Sequence, residues 1–217
     1  METRSPRIVA FAGSLRADAN NKKLARAMAA GAESAGSEVR LLDMKEFPLP
    51  VLDADLFDAH NSDPHRLFDE GGRIGPPQTV PLPESLVRLK EHMRWADGFL
   101  IATPEYGGSI PGMLKNLIDW LTRLAPGEAP LDNFTYKLVA RGCVCLDGNG
   151  HGALAELTRV MTTLGAIVLP GNDIFYVADD LFDSDGQFAN PTNRAAAERI
   201  GKRLDRAIRK FNGLEVR

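Results

Sequence analysis

The stretch Ile8-Val9-Ala10-Phe11-Ala12-Gly13-Ser14-Leu15-Arg16, running on to Asn21, restricts this chain more than any other. It opens as a short apolar run, the pattern of a strand buried on both faces in a parallel sheet. The run stops at Gly13, and a helical pattern begins near Asn21. Strand, glycine turn and helix start together make an anion site, because the first N–H groups of a helix lack internal partners and its dipole favours negative charge. Ser14 offers a hydroxyl, Asn21 an amide and Arg16 a fixed positive charge. The residues alone fit two readings: a phosphate cradle, or an ordinary turn in which Ser14 and Asn21 cap. The spacing is neither the G-x-G-x-x-G dinucleotide fingerprint nor a Walker loop.

The rest of the chain repeats the strand–helix alternation. A helix is expected from Asn21 to Ala35, closed by Gly36, then a strand at Glu38–Asp43. Residues 44–83 lose the pattern under seven prolines and form a long loop insertion, with a short helix possible at 64–70. Helices are expected at 84–95, 111–124, 153–164 and 191–211, and strands at 99–103, 137–146 and 167–177, the last broken at Pro170-Gly171. Five strands alternating with five helices predict one doubly wound, open parallel sheet with helices on both faces, in a single α/β domain spanning residues 1–217. Ligands of such sheets bind beyond the carboxyl ends of the strands. The glycine-bearing turns after the first, third and fourth strands fall at that edge.

A net charge of −3 and the lack of a Lys/Arg block argue against a nucleic-acid surface. No apolar run reaches membrane-spanning length, and Met1–Pro6 leads into a strand rather than a signal peptide, so no membrane association is expected and the cytoplasm is the expected location. Cys143 and Cys145 stand two apart on one strand, which suits buried thiols and makes a poor disulfide or zinc pair. His60 and His65 fit no metal spacing, and no metal site is expected.

Three groups of residues carry a resemblance: Gly13-Ser14-Leu15-Arg16 with Asn21, Pro104-Glu105-Tyr106-Gly107-Gly108-Ser109-Ile110-Pro111-Gly112, and Leu114-Lys115-Asn116-Leu117-Ile118-Asp119-Trp120. In this order, each motif after a predicted strand or on the helix that follows, they make the chain similar to the NADPH-dependent FMN reductases of the flavodoxin-like fold, from Arg7 to about Phe211. The resemblance implies a sheet order of 2-1-3-4-5 and a bound FMN. It implies that Ser14, Arg16 and Asn21 hold the phosphate. Pro104, Glu105, Tyr106, Gly107 and Gly108 would run along the isoalloxazine ring, and Asp147 and Gly148 would close its other side. The sequence differs from the family pattern at Ala19, where Ser or Thr is usual, at Gly107, where Asn is common, and in its longer segment around 56–80.

The resemblance further implies NADPH or NADH as co-substrate and a small-molecule electron acceptor: free flavin, a quinone, an azo compound or an oxyanion. No side chain is needed as a catalytic acid or base, because the flavin carries the chemistry and the protein orients it. A homodimer or homotetramer is implied as well. Two other functions share the fold, a flavodoxin-type electron carrier and a non-catalytic protein that has lost the cofactor. Glu105 reads as a backbone contributor, Asp119 and Trp120 as packing or a subunit contact, and His151 as a cap or surface residue.

Overall fold

The computed structural model describes residues 4–53, 82–124, 128–146, 149–171, 173–177 and 180–213. In chain order the elements are β1 (Arg7–Ala12), α1 (Asn20–Ser34), β2 (Glu38–Leu42), α2 (Glu84–Trp95), β3 (Gly98–Ala102), α3 (Gly112–Leu121), β4 (Leu138–Cys145), α4 (His151–Thr163), β5 (Ile167–Val168), β6 (Ile174–Tyr176) and α5 (Pro191–Phe211). All strand pairs are parallel, in the order β2-β1-β3-β4-β5, with β6 also on β4. This is the flavodoxin-like order expected from the resemblance.

The expected fifth strand is two strands. Pro170 and Gly171 interrupt it, and the halves pair with successive stretches of the same neighbour: Leu138 and Val139 face β5, while Cys143 to Cys145 face β6. The sheet therefore has six strands. Of the expected 44–83 loop, a one-turn 3₁₀ helix (Met44–Glu46) and the segment to Asp53 are described. The possible helix at 64–70, His60 and His65 lie outside the described residues.

Alternation along the inner strands divides the core between two layers. Val9, Phe11, Phe99, Ile101 and Val139 point toward α2, α3 and α4. Ile8, Ala10, Leu100, Leu138 and Ala140 point toward α1 and α5. In the second layer, glycines on α1 and α5 each face the opposite helix. There α1 and α5 touch backbone to backbone: a Cβ on Gly31 would lie 2.0 Å from the Glu198 carbonyl oxygen, and one on Gly201 2.0 Å from that of Met28. Cys143 and Cys145 are both buried, on one face of β4 with Leu154 and Ile174, and neither is bridged.

α3 grips the segment that follows β2. The Asn116 amide accepts from the Leu52 N–H (2.8 Å) and donates to the Pro50 carbonyl (2.8 Å), and the Trp120 indole N–H donates to the same carbonyl (2.8 Å). Trp120 is thus a packing residue, 1% exposed, and the Asn116 and Trp120 positions of the third motif anchor residues 50–52. Asp119 faces outward in an ion pair with Lys115.

Candidate functional site: a cavity at the carboxyl edge of the sheet

β1 and β3 end level with each other, with Ala12 opposite Ala102, and Ala102 is opposite Gly142 of β4. The ladder runs one step further, through the Gly13 N–H to the Ala102 carbonyl (2.8 Å) and the Thr103 N–H to the Gly142 carbonyl (2.9 Å). The turns beyond these strands consequently surround one cavity of about 550 Å³, within the usual size range of small-ligand and cofactor sites. Ser14, Arg16, Asn21, Pro104, Glu105, Tyr106, Gly107 and Gly108 all line it. Asp147 and Gly148 lie outside the described residues, but their neighbours Leu146 and Asn149 line the same cavity.

The β1 end of the cavity holds a helix start and a buried hydroxyl. α1 begins at Asn20 with Ala19 as its N-cap, and no side chain caps it. The Ser14 hydroxyl sits beside this helix start, 5% exposed, with the Arg16 N–H 3.4 Å from its oxygen. Arg16 itself is exposed. Asp18 is turned to Lys23 at 2.9 Å, and that hydrogen bond holds its carboxyl below the ordinary range. Its charge is thereby drawn away from the cradle.

Asn21 has a structural task that its sequence position does not reveal. Val144 of β4 extends past the end of β3, so its edge groups on that side lack a strand partner. The Asn21 amide supplies one: Oδ1 accepts from the Val144 N–H and Nδ2 donates to the Val144 carbonyl, both at 2.9 Å. The expected role of the Asn21 amide toward phosphate therefore shares the side chain with this structural one. The Nδ2 group keeps a second N–H beyond the one given to Val144, and the Asn21 backbone N–H lies in the first turn of α1, where the helix supplies no acceptor.

The β3 end is a tight hairpin. Tyr106 and Ser109 exchange hydrogen bonds (2.9 and 3.1 Å) around Gly107 and Gly108, whose φ values are +58° and +76°. Positive φ at both central positions is the type I′ turn, which Gly and Asn adopt readily. That accounts physically for Gly107 standing where Asn is common. No heavy atom lies within 4 Å of where a Cβ on either glycine would point, so a flat ligand can lie against bare main chain. Tyr106 is 55% exposed at the mouth.

Glu105 is more than a backbone contributor. Its Oε2 accepts from the Gly150 and Ala153 N–H groups, each at 2.9 Å, and so caps α4 from outside that helix. Gly152 allows the two walls to meet, since a Cβ there would lie 2.2 Å from the Gly108 carbonyl oxygen. Cys145 also lines the cavity, and its Sγ donates to the Asn149 carbonyl at 2.7 Å. Burial pushes the neighbouring Cys143 thiol far up, with Cys145 adding to the shift. Val144, Cys145, Leu146 and Val177 were missed as lining residues because nothing in their own sequence context marks them.

The donor set fits a phosphorylated ring ligand such as FMN. An uncapped helix start with a buried hydroxyl faces one part of the cavity, and an open glycine turn faces another. Comparison with known proteins agrees: the family model for NADPH-dependent FMN reductases matches residues 6–179. The chain belongs to that family.

Among the FMN reductase relatives, an NAD(P)H-dependent FMN reductase of Pseudomonas aeruginosa is 26% identical over 210 residues, 95% of this chain and 97% of that protein. A quinone reductase of Escherichia coli K12 is 53% identical over 47 residues, which is 22% of this chain; the match spans only 25% of that protein's length. Among solved structures, the flavoenzyme NAD(P)H:(acceptor) oxidoreductase FerB of Paracoccus denitrificans superposes with a TM-score of 0.67 at 23% identity, covering 94% of this chain and 98% of that one. That likeness is one of fold.

Proposed function

We propose that this FMN reductase family member is an FMN-dependent NAD(P)H oxidoreductase. It takes electrons from NADPH or NADH and delivers them to a small acceptor, with a quinone, free flavin, an azo compound or an oxyanion as the classes to test. One observation carries the reading: the bare N-terminus of α1 and the open Gly107-Gly108 turn face the same cavity.

Bound FMN would supply the electron transfer itself. Ser14, Arg16 and the first N–H groups of α1 would hold its phosphate by charge-assisted hydrogen bonds. The 104–108 turn would lie along the ring, with Gly107 and Gly108 permitting close approach. The main-chain donors of that turn would stabilise negative charge gathering on the ring in its reduced form. Asp147 and Gly148 would complete the wall opposite.

The working form is proposed as a homodimer or homotetramer. Tyr106 and Leu146, which line the cavity and are exposed at 55 and 66%, support a covered cavity. A cytoplasmic location suits the nicotinamide supply and the two unbridged thiols. No helix of the described residues is long and apolar enough to cross a membrane.

The test has two stages. Purified protein is incubated with FMN, freed of excess and examined for flavin absorbance; a colourless product rejects the cofactor and leaves the non-catalytic reading. The loaded protein is then mixed with NADPH or NADH without oxygen and its reduction followed, before steady-state assays across the acceptor classes. Bound flavin that neither nucleotide reduces would favour the electron-carrier reading.

A further inference from the structure

Glu105 carries an inference that rests on reading the cavity as an FMN site. Glu105 lines the cavity, and its carboxylate caps α4 through the Gly150 and Ala153 N–H groups. α4 has no cap of its own: its N-cap residue is Gly150, and its first turn holds no acid. The helix end is pressed to the cavity wall, as the 2.2 Å approach of a Gly152 Cβ to the Gly108 carbonyl oxygen requires.

An uncompensated helix N-terminus is equivalent to about half a positive charge. Placed at this wall, it would favour the reduced form of FMN, on which negative charge accumulates. Glu105 brings a full negative charge to the same point. We infer that Glu105 is a positioning residue that lowers the midpoint potential of bound FMN by neutralising the N-terminal end of α4.

The test is a redox titration of the FMN-loaded protein. Glu105→Gln keeps the side chain's shape and one carbonyl acceptor but removes the charge. It is expected to bind reduced FMN about tenfold more tightly relative to oxidised FMN, a rise of ~30 mV for a two-electron couple. Asn149→Asp places a carboxylate on the same wall beside the same helix end and is expected to lower the potential. A cap that only stabilises the fold predicts no such pair of opposite shifts.

An unchanged or lower potential in Glu105→Gln overturns the inference. Should that variant fail to fold or to hold FMN, an unchanged or raised potential in Asn149→Asp overturns it alone. Failure of the unsubstituted chain to take up FMN rejects the reading of the cavity, and the inference with it; that result is seen before either variant is made.

Discussion

Asn21 of α1 and Val144 of β4, 123 positions apart, are joined by two hydrogen bonds of 2.9 Å, one in each direction. The amide stands in for the peptide of a missing strand. Asn21→Asp keeps the acceptor but turns a carboxylate oxygen toward the Val144 carbonyl. It is expected to cost about 1–3 kcal/mol, the range for leaving a buried polar group unsatisfied. Urea denaturation of the protein without FMN checks this, and separates stability from any change in flavin affinity.

Arg16 should act on binding and leave folding nearly untouched, because its side chain is exposed. Arg16→Ala is expected to weaken FMN binding by about 1.5–3 kcal/mol, the worth of a hydrogen bond to a charged group. Fluorescence titration measures it. Unaltered affinity would remove Arg16 from the phosphate site.

The turn at Gly107 makes a prediction with an internal control. Its φ of +58° costs an ordinary L-residue about 1–2 kcal/mol, while Asn reaches that region readily. Gly107→Val should lower the thermal midpoint and Gly107→Asn should leave it close to the starting value. Equal losses in both would mean that backbone conformation is not what selects glycine there.

Close approach predicts a larger effect at Gly152. A methyl group 2.2 Å from the Gly108 carbonyl oxygen meets main chain rather than a yielding side chain. Gly152→Ala should destabilise by about 1–3 kcal/mol as an overpacked site and also weaken FMN binding, since it parts two cavity walls. Calorimetry with and without FMN resolves the two effects.

His92 gives the stability a pH dependence. Its ring is stacked edge-on against Phe47 (centroids 5.8 Å apart), and its Nδ1 lies 3.1 Å from Arg40 Nη1. Burial pushes its pKa below the ordinary 6.5, and Arg40 pushes it further. The unfolded chain therefore binds this proton at higher pH than the folded one. Stability is unaffected above the unfolded value and falls as pH drops from about 6.5 through the folded pKa. Denaturant midpoints should decline over that interval, and His92→Gln should flatten the decline. Asp43 and Asp97, held below the usual carboxylate range against the effect of burial by Lys22 and Arg4 respectively, act only in more acidic solution.

The main outline of the fold was legible because parallel strands buried on both faces leave unmistakable apolar runs, as at Ile8–Ala12 and Phe99–Ala102. The break at Pro170-Gly171 was also visible. That both halves would pair along β4 was not, because pairing depends on where a neighbour's edge is free. At the site, the motifs placed eight of the described residues around one cavity. Two of their tasks stayed hidden. The partners of Asn21 and Glu105 are main-chain groups far along the chain, and any residue type can supply a peptide N–H or carbonyl. Gly152 was equally silent, since its requirement comes from Gly108.

The crossing of α1 and α5 at Gly31 and Gly201 leaves no slack between the two backbones. α1 cannot slide along its axis without driving carbonyl oxygens into opposing main chain. The axial position of α1, and with it the height of its first turn at the cavity, is therefore set by α5 before any phosphate arrives. A receptor whose helix start is preset in this way should capture its ligand in a single kinetic phase, with a rate proportional to ligand concentration and no slow adjustment afterwards.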